Sequence, residues 1–207
     1  MQPRCCGQTI APTRWRPDCR GQTVQLSPLP SGFWSFRLLF ADLTLGFRDP
    51  DYVRIQLVTL GDPPPDYLAA AVDFYLQRLP KAWRVTSVRI PAASGKRSNQ
   101  ALLEAETAQI ERRLKPGSMR VALVIEARQM DSVAFASRLQ NWLVDGRDID
   151  FIIGSANGLA PDFVARCDVR WSLSQLTFPH HLAQVLLAEQ LYRASTIHTG
   201  HPYHSGH

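Results

Sequence analysis

The sequence predicts an α/β fold, a mostly parallel sheet with helices on both faces, and three observations carry that expectation. From residue 55 onward, short runs of Val, Ile and Leu alternate with stretches of helical period. The apolar runs are nearly continuous rather than alternating, as strands buried on both faces require. Turn residues separate the units, above all Gly61-Asp62-Pro63-Pro64-Pro65 and Pro116-Gly117.

Taken in order, residues 55–60 form the first strand. After the proline-rich turn, Asp66 is placed to cap a helix that buries Leu68, Val72, Tyr75 and Leu79. Residues 85–90 form the second strand and 91–98 a polar loop containing Gly95-Lys96-Arg97. Asn99 is expected to cap a helix running to about Leu114, with Leu102, Leu103, Ile110 and Leu114 inward. Pro116-Gly117 stops it. Residues 121–125 make the third strand, 131–144 the third helix, and 149–153 a fourth strand that ends in Gly154. A short helix after Pro161, a strand at 171–173 and a long last helix at about 181–197 complete the series.

The first 52 residues follow no such rhythm. Six prolines, three cysteines and six arginines are scattered there without a period of 2 or 3.6. The segment reads as a tail, and residues 53–207 as the domain. Across all 207 residues, 45% hydrophobic and 20% charged content excludes wholesale disorder, a collagen-like fibre and a disulfide-knotted miniprotein. The most apolar window, 33–47, is interrupted by Arg37 and Asp42, so no membrane span is expected. No signal-peptide core is visible at the N-terminus. A net charge of +5 is compatible with an anionic partner without requiring one. Cys5, Cys6 and Cys19 cluster early and Cys167 stands alone, which fits neither a disulfide framework nor a CxxC metal site and makes a cytoplasmic setting the default.

In sheets of this kind ligands bind beyond the carboxyl ends of the strands. Gly154-Ser155-Ala156-Asn157-Gly158-Leu159 lies at such an end. Its glycines permit a sharp turn and close approach to a ligand, and Asn157 tolerates a left-handed conformation, but a plain turn is the favoured reading of these residues alone. The spacing is not GxGxxG and no Walker lysine follows. The stretch 172–181 is rich in hydroxyls. Its backbone could hold a polar heterocycle between Leu173, Leu176 and Phe178, or Thr177 could simply cap the last helix over a core of those residues.

All six histidines fall at or after His180. Gly200 and Pro202 keep His198, His201, His204 and His207 off one helical face, and no Cys or carboxylate joins them, so no metal is expected. Neutral imidazoles and Tyr203 can instead donate to phosphate or bases, or move a proton. Lys96, Arg97, Arg112, Arg113 and Lys115, with Arg128 and Arg147, read mainly as solvated cations. Arg193 differs. It sits beside Tyr192 on the apolar last helix and needs a phosphate or carboxylate partner. No GxSxG elbow occurs, nothing pairs Cys167 with a base, and Asp145, Asp148 and Asp150 read as a solvated loop rather than a glycosidase pair.

Read together, these loops resemble a known family. Ile153-Gly154-Ser155-Ala156-Asn157-Gly158-Leu159, then Leu173-Ser174-Gln175-Leu176-Thr177-Phe178-Pro179-His180, then Leu187-Ala188-Glu189-Gln190-Leu191-Tyr192-Arg193-Ala194, and finally Gly200-His201-Pro202-Tyr203-His204 resemble the RlmH family. Its members are small SPOUT-class enzymes that methylate N3 of a pseudouridine in 23S ribosomal RNA. The resemblance spans residues 53–204 and implies a SPOUT fold with a C-terminal trefoil knot, a rare exception to unknotted topology. It implies S-adenosylmethionine as cofactor, held by Leu123, Gly154, Leu173, Ser174, Gln175, Leu176, Thr177 and Phe178. It also implies a cytoplasmic homodimer acting on 23S rRNA within the ribosome, with no membrane and no metal, the last helix in the interface and the tail of one subunit near the cofactor of the other. Tyr203, His204 and Arg193 become the catalytic candidates, the first two orienting the base and relaying its proton. A non-catalytic ribosome-binding protein of the same fold, or a SPOUT enzyme for another RNA, are the alternatives.

Three departures from the family pattern stand out. Ser155 stands where the family usually has a second glycine, Ser205-Gly206-His207 follow where a basic residue usually ends the chain, and the first 52 residues are extra. Valine is what an internal GUG start codon would read as, so the resemblance implies a native start at residue 53.

Overall fold

The computed structural model describes residues 52–93, 95 and 98–204. The expected extension up to residue 51, Lys96 and Arg97 of the polar loop, and the Ser205-Gly206-His207 ending lie outside the described residues. The chain runs β1 (Ile55–Leu60), α1 (Asp66–Leu76), β2 (Thr86–Ile90), α2 (Asn99–Glu111), β3 (Met119–Leu123), α3 (Ser132–Val144), β4 (Ile149–Ile153), α4 (Pro161–Ala165), β5 (Val169–Trp171) and α5 (His180–His198). Single 3-10 turns sit at Lys81–Trp83 and Pro202–His204.

Every strand pair is parallel, in the order β2-β1-β4-β3-β5. Parallel neighbours can be joined only by crossovers, so the helices are carried onto the sheet faces. The two-residue period of the strands decides which side chains meet which helices. Ile55, Leu57, Val121, Ile149, Phe151 and Ile153 share one core with Val72 of α1, Phe135, Leu139 and Trp142 of α3, and Leu187 and Leu191 of α5. Within it Phe135 stacks on Trp171 with ring centroids 4.3 Å apart. On the other face Val58, Leu60, Ile90 and Ile152 meet Leu103 and Ile110 of α2 and Phe163 of α4. β4 lies at the centre, with all five residues buried. Among the described residues, no helix is long and apolar enough to cross a membrane.

Several expectations need correction. Pro65 occupies the N-cap position of α1 with no side-chain bond, so Asp66 is the first helical residue and acts through its charge at the positive end of the helix. Ser98, not Asn99, caps α2, its Oγ accepting the Ala101 N–H at 3.3 Å. Both residue types cap well, and the extended backbone at Ser98 decides between them. β3 starts and ends two residues earlier than expected, because its partner β4 runs out at Ile153 opposite Leu123. Ile125 is therefore outside the ladder and 42% exposed. β5 is likewise shifted back to end at Trp171, leaving Leu173 beyond it.

The largest correction concerns the aspartates. Asp150 lies within β4 and is fully buried, not solvated. Arg54, just before β1, reaches across the sheet to Asp150 at 2.9 Å and to Asp148 at 3.3 Å. The Ser118 hydroxyl donates to Asp150 as well. A buried carboxylate is tolerable only when paired and hydrogen-bonded, and the partner came from a residue nearly a hundred positions away.

Candidate functional site

Because all strands are parallel, their carboxyl ends open on one edge of the sheet. There the segments following β3, β4 and β5 enclose a cleft of about 1400 Å3. Pockets for small ligands usually measure roughly 300–1,000 Å3, so this one has room for a nucleoside-sized ligand beside a second group.

The segment after β4 is a tight turn. A Cβ at Gly154 would lie 2.6 Å from the carbonyl of Gly158, so only glycine lets the turn close on itself. Gly158 takes the left-handed conformation (φ +80°) that the sequence reading allowed to Asn157, and its N–H donates to the Ser155 carbonyl at 2.9 Å. The Ser155 hydroxyl donates to Glu106 Oε2 at 2.9 Å and accepts the Asn157 N–H at 3.2 Å.

The segment between β5 and α5 is shaped by its own hydroxyls. Ser172 Oγ donates to the Ser174 carbonyl at 2.8 Å, and Ser174 Oγ accepts the Leu176 N–H at 3.0 Å. The Ser172 N–H is held by the Arg128 carbonyl at 3.2 Å, which ties this segment to the one after β3. Thr177 does not cap α5. Pro179 occupies that position without a side-chain bond.

At the start of α5, His180 packs into a notch over Gly61, where a Cβ would stand 2.3 Å from its Nε2. Burial, and secondarily the neighbouring His181, lower the His180 pKa against the opposing pull of Asp62, so its ring is neutral at neutral pH. The Cys167 thiol is pushed up to about 11 by burial, which removes it as a nucleophile.

Of the expected cofactor residues, Leu123, Gly154, Leu173, Ser174, Leu176, Thr177 and Phe178 line the cleft, whereas Gln175 stands in the same loop without lining it. Arg193 and Tyr203 line a different part of the molecule. Arg193 pairs with Glu189 at 2.7 Å, one turn back on α5, so the carboxylate it needs is on its own helix. Its guanidinium lies 4.9 Å from the centre of the Tyr203 ring, and the Tyr203 hydroxyl donates to Glu189 at 3.4 Å. Partial burial and the Glu189 charge push the Tyr203 phenol up to about 12, so it is a neutral donor at physiological pH. His204 belongs to the closing 3-10 turn. Among the described residues, no group of three or more His, Cys, Asp or Glu side chains could hold a metal ion.

Three lining or supporting residues escaped the sequence reading. Arg138 and Arg170 join Arg128 along the cleft, which Glu126 and Asp168 also line. Glu106 is buried on α2 between Leu103 and Ile110. A charged residue on the inward stripe of a helix was the available signal for it.

With this geometry in view, comparison with known proteins decides the family. Residues 53–204 match the family described as "Predicted SPOUT methyltransferase". The chain belongs to the SPOUT methyltransferase family. Two relatives are each named ribosomal RNA large subunit methyltransferase H. That of Burkholderia cenocepacia is 39% identical over 154 residues, covering 73% of this chain and 99% of the relative. That of Chromohalobacter salexigens is 37% identical over the same shares. Among solved structures, a probable methyltransferase from Bordetella pertussis Tohama I aligns with a TM-score of 0.46 at 14% identity, over 69% of this chain and 94% of that one, a likeness too loose to bear on the assignment. As a SPOUT methyltransferase the chain has the parallel α/β sheet that its loops implied, and the family resemblance read from those loops is borne out.

Proposed function

We propose that this methyltransferase transfers the methyl group of S-adenosylmethionine to N3 of a pseudouridine in 23S ribosomal RNA on the assembled ribosome. The observation that carries the reading is the convergence of three strand ends on one cleft, lined by seven of the residues that family motifs associate with the cofactor. The names of the relatives support RNA of the large ribosomal subunit as substrate.

The cleft suits the cofactor. Gly154 lets the turn after β4 close tightly on Gly158 at the border of the cleft, Leu123, Leu173 and Phe178 supply apolar walls, and the backbone of 172–178 offers N–H and C=O groups to an adenine. When bound, S-adenosylmethionine supplies an electrophilic methyl group on a positively charged sulfur. The trefoil knot is part of this proposal; the chain leaving β5 runs beside the segment after β3, where Gln129 bridges Ser172 and the Val124 N–H donates to the Trp171 carbonyl.

The chain's own residues must seat the RNA base and remove its N3 proton. Arg193 and Tyr203 do not line the cleft of their own chain, which favours a homodimer in which α5 forms the interface and the tail completes the partner's site. Phe74, Leu182 and Tyr203, each more than a third exposed, are apolar or aromatic surface that such an interface would cover. In that arrangement neutral Tyr203 donates a hydrogen bond to the base, Arg193 holds a phosphate or the pyrimidine edge, and His204 relays the N3 proton to solvent. Arg128, Arg138 and Arg170 face RNA phosphates at the border of the cleft. A protein of modest net charge can then take its recognition from the shape of the ribosome. Such an enzyme works in the cytoplasm, where ribosomes are.

The test is methyl transfer from labelled S-adenosylmethionine to ribosomes that lack the modification. His204→Ala is expected to lower the rate by about 100-fold or more, the usual contribution of a proton-transfer group. A normal rate would remove His204 from this role.

A further inference from the structure

We propose that Glu106 is a positioning residue for cofactor binding, acting through Ser155. The inference rests on the cofactor reading above and deepens it. Glu106 is 2% exposed on the inward stripe of α2 and is not itself among the residues that line the cleft. Its carboxylate joins two strand-end loops. Oε1 accepts the Ala93 N–H after β2 at 3.1 Å, and Oε2 accepts the Ser155 hydroxyl after β4 at 2.9 Å. The Ser155 oxygen in turn accepts the Asn157 N–H at 3.2 Å, so the carboxylate, the hydroxyl and the turn backbone form one chain of bonds.

Packing alone does not account for a carboxylate there. Leu103 and Ile110 flank it on the same buried stripe, and burying a carboxylate is costly unless hydrogen bonds satisfy it. Those bonds go to the loops rather than to the helix, and bonds to a charged acceptor are stronger than neutral ones. Gly154 and Gly158 press backbone against backbone and carry no side chains of their own, so the Ser155 hydroxyl supplies a side-chain bond to this turn. A glycine at 155 could not make either bond.

The test uses the full-length protein and two readouts. In hydrogen exchange without cofactor, Ser155→Ala is expected to speed exchange of the 154–158 amides by about tenfold while those of β4 stay unchanged. In methyl transfer, KM for S-adenosylmethionine is expected to rise about three- to tenfold with a much smaller change in kcat. Ser155→Thr, which keeps the hydroxyl, should restore both. Glu106→Gln should shift both in the same direction, and the double variant should lose no more than the worse single one. Wild-type exchange and KM in Ser155→Ala, exchange accelerated equally throughout the sheet, or additive losses would each overturn the proposal. If Glu106→Gln fails to fold, the two serine variants decide the question. If the wild-type protein binds no S-adenosylmethionine, the functional reading fails while the exchange measurement still decides the tie.

Discussion

Gly154 shows how much a single missing carbon can determine. With a Cβ only 2.6 Å from the Gly158 carbonyl, Gly154→Ala must push the turn open, and a cost of about 1–3 kcal/mol is expected together with loss of cofactor affinity. Thermal unfolding and calorimetric titration with S-adenosylmethionine would read both. At the other edge of the sheet, Arg54→Met keeps the aliphatic stem but strands the fully buried Asp150 carboxylate, and urea unfolding should show a loss of about 3–5 kcal/mol. Asp150→Asn, which keeps hydrogen-bonding groups, should lose less. His180 makes a pH-dependent contribution of definite sign. Its folded pKa is depressed below 6.5, so the unfolded chain takes up the proton first as pH falls. Stability is therefore complete above about pH 6.5, declines as pH falls from there through the folded pKa, and levels off below it. His180→Gln should flatten that part of a melting-temperature profile between pH 5 and 8, and an unchanged slope would assign it to other groups. The sequence showed Gly154 plainly, but it could not show that Arg54 and Asp150 meet, because nothing local links residues on strands paired only by the fold.

Legibility at the level of elements follows how local each cause is. The five strands and the longer helices could be read because their apolar periods are written in consecutive residues. Their ends could not. The limits of β3 are set by where β4 stops, and the cap of α2 by the backbone angles of Ser98, neither of which periodicity encodes. The cofactor loops were legible as motifs, whereas Glu106, which supports one of them from another helix, was visible only as a charge in an apolar stripe. α5 carries the heaviest packing duty, with Leu187, Ala188, Leu191 and Ala194 fully buried against the sheet and the flanking helices. Leu187→Ala is expected to cost about 2–5 kcal/mol by denaturant titration. Because the same helix holds Glu189 and Arg193, that variant should also weaken methyl transfer beyond what the lost stability explains.

For the molecule as a whole, the sheet begins at residue 55 and the family match at residue 53. A protein starting at residue 53 is expected to melt and to methylate as the full chain does, and a lower melting temperature would give the extension a structural role. The fold places every loop of the site at one edge of the sheet, and the dimer proposed for it brings the Tyr203 tail to the partner's cleft. The most direct measurement of the central claim is nucleoside mass spectrometry of 23S rRNA from cells lacking this gene, with ribosomes incubated with the purified protein and S-adenosylmethionine. The account predicts N3-methylpseudouridine, dependent on the protein and formed on assembled ribosomes. Cofactor binding with no methylated pseudouridine in that RNA would contradict it.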